Sequence, residues 1–156
     1  MANIKLLLYA GLIVCVACAK GSVHPADARA RIELQALMRL IRTGEIRKVE
    51  IFAIPGHVVT STRITPEMLE ATYWYRIEIP DIRTDGSRTA HLNAEVTSWA
   101  EPSDLRYGAV FYDAAGKRSG AVYFDKTGRH GFVNGTPVGI TGTAFEWMKH
   151  AVSCLE

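Results

Sequence analysis

Cysteine is scarce in this sequence, which limits how the fold can be stabilised. The chain has 3 cysteines, at positions 15, 18 and 154. Cys15 and Cys18 have a C-x-x-C spacing, but they lie in an apolar N-terminal stretch, which excludes a zinc or redox role for the pair. Cys154 then has no partner for an intrachain disulfide, or only a lipid-bearing Cys18, so packing must stabilise the fold. Cys154 itself is either a buried inert thiol or a thiol used in redox chemistry or dimer formation.

Patterns for catalysis and metal binding are also missing. The sequence contains no G-x-S-x-G turn for an activated serine, and its 5 histidines show no H-x-H or H-x-x-x-H spacing. His150 precedes Cys154 on the same predicted helix, but the C-terminal end of a helix disfavours the thiolate that a Cys/His enzyme needs. We therefore predict no catalytic residue, no metal site and no cofactor.

No charge of either sign dominates the chain. It carries 18 Lys and Arg against 16 Asp and Glu, and the formal net charge is +2. The basic residues are spread along the sequence. They form neither the basic patch typical of nucleic-acid binding nor a cluster that would hold an anionic membrane surface. Nucleic acid is therefore excluded as the expected partner.

An apolar run at residues 6–19 indicates export. It follows Lys5 and is shorter than the about 20 residues of a transmembrane helix, which is typical of a secretory signal peptide. Ala17 and Ala19 are small residues suited to cleavage after Ala19. We expect a signal peptide at 1–19, a linker at 20–25 and a single domain at 26–156. The mature chain would be periplasmic or secreted, with no transmembrane span.

A bacterial lipoprotein is the alternative interpretation of the same stretch. The signal then ends before Cys18, which carries the lipid and anchors the protein to a membrane. Cys15 stands where such a signal usually has Leu. The mass of the intact exported protein distinguishes a chain beginning at Lys20 from one beginning at a lipid-bearing Cys18.

Helices are predicted where apolar residues recur at helical spacing. Leu34, Leu37, Met38 and Ile41 define the buried stripe of the first helix, and Thr143 with Glu146 would make a capping box for the last. The predicted helices cover residues 26–43, 66–71, 85–99 and 143–155.

Strands are predicted where β-branched and aromatic residues lie between turns. They cover residues 46–54, 58–63, 73–79, 107–112, 120–124, 131–134 and 138–141, the last confined to a sheet edge by Pro137. Because helices and strands do not alternate regularly, these elements predict an α+β fold. It would contain one antiparallel sheet of about five to seven strands with a C-terminal meander, and the N-terminal and C-terminal helices would pack on one face.

Two similar segments, FYDAAGKR at 111–118 and YFDKTGRH at 123–130, raise the question of a metal site. Each supplies one carboxylate, Asp113 or Asp125, whereas a calcium loop needs several converging oxygens. A strand between them would place the two loops at opposite ends of the sheet. We therefore interpret both as hairpin turns closed by a glycine in the left-handed conformation.

Aromatic residues around position 74 suggest a binding surface. Tyr73 and Tyr75 would share one face of a strand, and Trp74 and Arg76 the other. Trp, Tyr and Arg are the usual energetic centres of protein interfaces, although Trp74 could instead pack beneath a helix. His57, on a Pro-Gly turn, is a second contact candidate.

These features favour an exported bacterial binding module with a protein partner. The best hypothesis is an inhibitor or immunity-type protein acting on another envelope or secreted protein. One alternative is a small periplasmic hydrolase whose site is assembled only in the tertiary structure. The other is a structural envelope lipoprotein, and a lipid on Cys18 would support that alternative.

Overall fold

Helices and strands follow one another irregularly along the chain in the computed structural model, which describes residues 25–85 and 91–153. The described elements are α1 (Pro25–Arg42), β1 (Ile46–Ala53), α2 (Pro66–Thr72), β2 (Tyr75–Ile79), a 3₁₀ turn (Ile82–Asp85), β3 (Ala94–Trp99), β4 (Leu105–Asp113), β5 (Arg118–Asp125), β6 (His130–Val133), β7 (Thr136–Gly142) and α3 (Ala144–Ser153). The predictions that concern Cys15, Cys18 and Cys154 lie outside the described residues.

The seven strands of the described residues belong to one open antiparallel sheet. Their order is β2-β1-β4-β5-β6-β7-β3, so β2 and β3 are the two edges. The four C-terminal strands form the predicted meander, and β1 pairs with β4. The α+β prediction is confirmed. None of the helices in the described part of the chain is long and apolar enough to cross a membrane.

The larger part of the core lies between one face of the sheet and the helices α1 and α3. Alternation along β1 turns Val49, Ile51 and Ala53 to this face, as predicted. Alpha-helical spacing turns the apolar stripes of α1 and α3 towards it. The buried helix residues are Leu34, Leu37, Met38 and Ile41 in α1, and Phe145, Trp147, Met148 and Val152 in α3.

A smaller apolar cluster covers part of the opposite face. Phe52, Leu69 and Tyr123 are buried there beneath α2 and the segment 54–64. Thr65 caps α2, because its hydroxyl accepts a hydrogen bond from the Met68 N–H at 3.3 Å. Part of this face remains outside the apolar cluster and carries polar side chains from β1, β2 and β4.

The predicted strand at 58–63 is wrong, because these residues form a loop. Arg106 is 7% exposed and donates to the Val58 carbonyl at 2.9 Å. The Asp104 carboxylate accepts from the Ile64 N–H at 2.8 Å. Side chains at the start of β4 thus hold this loop at Val58 and at Ile64.

The prediction of a helix at 85–99 is also wrong for the residues of this range that the structure describes. Ala94–Trp99 is the edge strand β3, with Ala94 and Val96 buried and Glu95 exposed between them. Its pairing with β7 outweighs the helical spacing of Leu92, Val96 and Trp99. Residues 86–90 lie outside the described part.

Two further details differ from prediction at the C-terminal end. Strand β7 was predicted at a sheet edge, but it lies between β6 and β3. Because β3 pairs only with Val138–Gly142, no strand in the described part of the chain pairs with Pro137 on that side. The Thr143 hydroxyl donates to the His91 carbonyl at 2.5 Å and accepts from the Asn93 N–H at 3.0 Å. It ties α3 to the start of β3 instead of forming the predicted capping box.

The two aspartate-glycine segments are hairpin turns, as predicted. The Asp113 carboxylate accepts from the N–H groups of Ala115 and Lys117, and Asp125 accepts from the Thr127 N–H. The glycines that close the turns, Gly116 and Gly128, have φ angles of 76° and 72°. Because β5 connects the turns, the carboxylates lie at opposite ends of the sheet.

Candidate binding surface

Trp74 is the most prominent aromatic residue on the surface at the β2 edge. Trp74 is 61% exposed, so its side chain does not pack beneath a helix. The backbone of Trp74 is nevertheless held by the sheet, because the Trp74 N–H donates to the Ala53 carbonyl at 2.9 Å. Ala53 pairs with Tyr75 at the first residue of β2. Trp74 is therefore an exposed indole on a position held by the sheet.

Tyr73 lies beside it but does not belong to the strand. It ends α2 with φ −56° and ψ 151°, which breaks the alternation predicted for 73–79. Its ring instead contacts Phe52, with centroids 5.4 Å apart at an angle of 49°. Tyr73 is 37% exposed. The Arg76 guanidinium approaches the same Phe52 ring, at 6.0 Å from its centroid.

A buried carboxylate anchors Arg76. Glu50 on β1 is 6% exposed and lies opposite Glu78 in the pairing with β2. It accepts hydrogen bonds from Lys48 Nζ and Arg76 Nη2, both at 2.9 Å, and from the Tyr112 hydroxyl at 3.0 Å. Three donors therefore satisfy a charge that would be costly to bury alone.

These contacts also set the protonation of the group. Burial favours the protonated form of Glu50, but the hydrogen bonds from Lys48, Arg76 and Tyr112 outweigh it and lower the pKa of the carboxyl. Burial and the hydrogen bond to Glu50 raise the pKa of Tyr112. At neutral pH the cluster therefore contains an ionised Glu50 and a protonated Tyr112. Lys48 also lies 3.9 Å from the Glu78 carboxylate, so the two cations, Lys48 and Arg76, are matched by two carboxylates.

The remaining predicted contact residues lie in different places. Tyr75 is half-buried and packs against the main core, on the opposite face from Arg76. His57 is exposed on the loop that follows β1. This loop leaves the sheet at the end where β2 begins, and its Val59 is 94% exposed. We name Tyr73, Trp74 and Arg76 the aromatic edge.

A second polar cluster has no counterpart in the predicted sites. Glu70 on α2 accepts two hydrogen bonds from the Arg118 guanidinium, each at 3.0 Å. The Tyr123 hydroxyl donates to Glu70 and accepts from Arg118 Nη2 at 2.6 Å. Burial, followed by the hydrogen bond to Glu70, raises the pKa of Tyr123. We call these three residues the Tyr123 cluster.

The Tyr123 cluster lies on a surface pocket of about 530 Å³, which Glu67 and Asn134 also line. The polar groups of the Tyr123 cluster bond to one another and hold α2 against β5. Glu70 is separated from its partners by 48 and 53 positions in the chain. No local sequence pattern joins residues so far apart, so the cluster could not be predicted. Within residues 25–85 and 91–153, no three His, Cys, Asp or Glu residues converge as a metal site would require.

Comparisons with known proteins do not identify a function for this chain. No protein-family model, no curated protein and no solved structure matches the chain.

Proposed function

We propose that this protein is an exported binding module that docks another protein through the aromatic edge. The observation that carries the proposal is the exposure of Trp74, 61%, on a backbone held by the sheet. An exposed indole next to a tyrosine and an arginine has the composition of an interface hot spot. Isolated apolar residues on a surface are common, so the combination is the informative feature.

Pre-organisation of the side chains supports this proposal. Tyr73 rests on Phe52, and Arg76 is held by the buried Glu50. Side chains that are already ordered lose less conformational entropy when a partner binds. A partner with an apolar pocket for the indole and a carboxylate near Arg76 would match this surface.

Inhibition of, or immunity against, another exported protein is the activity that we favour within this class. The chain is small, and its N-terminal stretch is that expected of an exported protein. The hydrolase alternative requires an activated group, and the Tyr123 cluster does not supply one. The raised pKa of Tyr123 keeps its phenol protonated, and Glu70 is paired with Arg118. The envelope-lipoprotein alternative rests on Cys18, outside the described residues.

A capture experiment tests the proposal. The tagged protein is incubated with envelope extract, and Trp74→Ala and Arg76→Ala are compared with the original chain. Ile32→Ala is the matched control, because Ile32 is 66% exposed on α1. For a hot spot, Trp74→Ala should weaken binding of the captured protein by about 2 kcal/mol or more, roughly 30-fold.

The captured protein is then purified, and its dissociation constant is measured by calorimetry. Its own activity is assayed with increasing amounts of this chain, because an inhibitor must reduce that activity. Equal affinity for the original chain and Trp74→Ala would contradict the proposed surface. Binding without any loss of the partner's activity would contradict the proposed inhibition but not the proposed binding surface.

A further inference from the structure

The loop between β1 and α2 presents one apolar side chain to solvent. Val59 is 94% exposed, more than any other large apolar residue that the structure describes. Exposure alternates along this part of the loop: His57, Val59 and Ser61 are exposed, and the two residues between them are half-buried. Alternation of this kind is typical of an extended chain. Val59 therefore projects from an extended segment, residues 57–61.

Both ends of this loop are fixed to the start of β4. The Ile54 N–H donates to the Arg106 carbonyl at 2.9 Å, and the Leu105 N–H donates to the Ile64 carbonyl at 3.2 Å. The side chains of Ile54 and Ile64 are buried in the smaller apolar cluster. Residues 55–63 thus leave and rejoin the body of the protein at neighbouring positions of one strand, as in a compact surface loop.

The buried Arg106 side chain braces the loop on both sides of Val59. Its Nη1 donates to the Val58 carbonyl at 2.9 Å, and its Nη2 donates to the Thr60 hydroxyl at 3.4 Å. The Asp104 carboxylate accepts from Nε of the same guanidinium at 3.0 Å and from Nη2 at 2.6 Å. Because a guanidinium is planar and its donors have a fixed relative geometry, the residues before and after Val59 are held together from one side.

This arrangement has the properties of a loop that occupies a peptidase active site. A peptidase binds an extended chain, since its catalytic groups must reach a backbone carbonyl, and it takes one side chain into a specificity pocket. A loop that is already ordered loses less conformational entropy on binding. The backbones of protease–inhibitor complexes accordingly move little on association. The short aliphatic side chain of Val59 suits a small specificity pocket, as in elastase.

We propose that residues 57–61 enter the active-site cleft of a serine peptidase and that Val59 fills a small apolar specificity pocket. The contacts are non-covalent, and the brace from Arg106 keeps the loop in place so that it blocks the cleft. This inference rests on the inhibitory part of the proposed function and names the class of enzyme that is inhibited. The aromatic edge can contact the same enzyme, because Trp74 bonds to Ala53 at the end of β1 where the loop begins.

Inhibition assays with three serine peptidases test the role of Val59. Elastase, chymotrypsin and trypsin accept small apolar, large apolar and cationic side chains, respectively. Each hydrolyses a chromogenic peptide in the presence of increasing amounts of the purified protein, which gives an inhibition constant Ki. We expect inhibition of elastase and much weaker inhibition of trypsin.

Variants at position 59 should change this specificity. Val59→Ser should raise Ki for elastase by about 10-fold or more, as expected when apolar contacts in a specificity pocket are lost. Val59→Arg should transfer inhibition from elastase to trypsin. Ile32→Ala is the matched control, because Ile32 is also an exposed aliphatic residue but lies on α1. Its Ki values should equal those of the original chain.

The brace is tested at Thr60, because replacing the buried Arg106 would also destabilise the fold. Thr60→Val removes the hydroxyl that bonds to Arg106 and keeps the shape of the side chain. It should raise Ki for elastase by about 2- to 10-fold, the range for one hydrogen bond. Mass spectrometry should also show faster cleavage of the Val59–Thr60 bond than in the original chain, while Tm stays unchanged. Thr62→Val, an exposed position of the same loop, is the control.

Several results would overturn this proposal. They are the absence of elastase inhibition by the original chain, equal inhibition by Val59→Ser, failure of Val59→Arg to inhibit trypsin, and rapid cleavage of the original chain after Val59. Equal Ki and cleavage rates for Thr60→Val and the original chain would overturn the role of the brace.

Failure of this inference can be distinguished from failure of the proposed surface. Capture, through Trp74, of an envelope protein that is not a peptidase would overturn the role of Val59 and leave the aromatic edge in place. Inhibition of the captured peptidase that depends on Val59 but not on Trp74 would support the loop and contradict the aromatic edge.

Discussion

The two glycines that close the hairpin turns provide a controlled measurement of packing. Gly116 and Gly128 have nearly equal φ angles, 76° and 72°. A Cβ atom at Gly116 would meet no atom within 4 Å. At Gly128 it would lie 2.2 Å from Cδ1 and 2.4 Å from Cγ of Phe145. Replacement by Ala therefore imposes the same backbone cost at both sites and a steric cost at Gly128 alone.

The free-energy costs follow from these two terms. An L-residue in the left-handed region costs about 1–2 kcal/mol, so we expect this loss for Gly116→Ala. Forcing extra volume into a packed site adds about 1–3 kcal/mol, which gives about 2–5 kcal/mol for Gly128→Ala. The ring cannot withdraw freely, because Phe145 also contacts Tyr107 with centroids 5.3 Å apart. For a domain of this size, 1 kcal/mol corresponds to roughly 4 °C in Tm.

Urea unfolding followed by circular dichroism measures both variants against the original chain. Phe145→Leu is the control background, because a smaller side chain makes room for the new methyl group. In that background the cost of Gly128→Ala should fall towards that of Gly116→Ala. Equal losses for the two glycine variants in the original chain would refute the argument. So would an unchanged cost of Gly128→Ala in Phe145→Leu.

Three further predictions concern polar contacts and an exposed loop. Tyr123→Phe removes a hydroxyl bonded to Glu70 and Arg118 and should cost about 1–3 kcal/mol in urea unfolding; no loss would mean that the cluster does not hold α2. The lowered pKa of Glu50 means that its carboxylate stabilises the fold above the unfolded-state pKa, and this stabilisation is lost as pH falls through the folded-state pKa. The Tm difference between the original chain and Glu50→Gln should therefore narrow on acidification, and a constant difference would contradict that role. Val59→Ser should change stability by less than about 0.5 kcal/mol, because Val59 is 94% exposed; a larger thermal shift would show that the loop packs more tightly.

Local sequence patterns were sufficient for most of the fold. The stripe of Leu34, Leu37, Met38 and Ile41 predicts α1, and glycine-containing turns predict the hairpins of the meander. Each signal lies within about ten residues, and the structure satisfies it within the same segment. Consistency between local preference and tertiary packing makes such segments predictable.

The strand β3 could not be predicted by the same means. Ala94 and Glu95 favour helix, and Val96 with Trp99 also fits helical spacing. Pairing with β7, about 45 residues further along the chain, decides the conformation. Strand propensity depends strongly on such neighbours. The loop at 58–63 differs from its prediction for a similar reason, because its partners Asp104 and Arg106 are also distant in sequence.

Only part of the candidate site could be predicted. Tyr73, Trp74 and Arg76 are neighbours in sequence, and their composition alone suggests a contact surface. The buried anchor of Arg76 is Glu50, 26 positions away, and nothing in the sequence of β1 identifies that residue as a partner. Long-range ion pairs need the sheet register, which the sequence pattern did not provide.

The strand order has a consequence for the kinetics of folding. The strands β4, β5, β6 and β7 are joined by short turns and pair in chain order, so little loop-closure entropy opposes their association. Both edge strands come from the chain between β1 and β4, and each needs another strand in place first: β2 needs β1, and β3 needs β7. We expect the meander to form early, with the two edges added late and opening most often in the native state. The aromatic edge proposed for binding would then be among the last parts of the sheet to assemble.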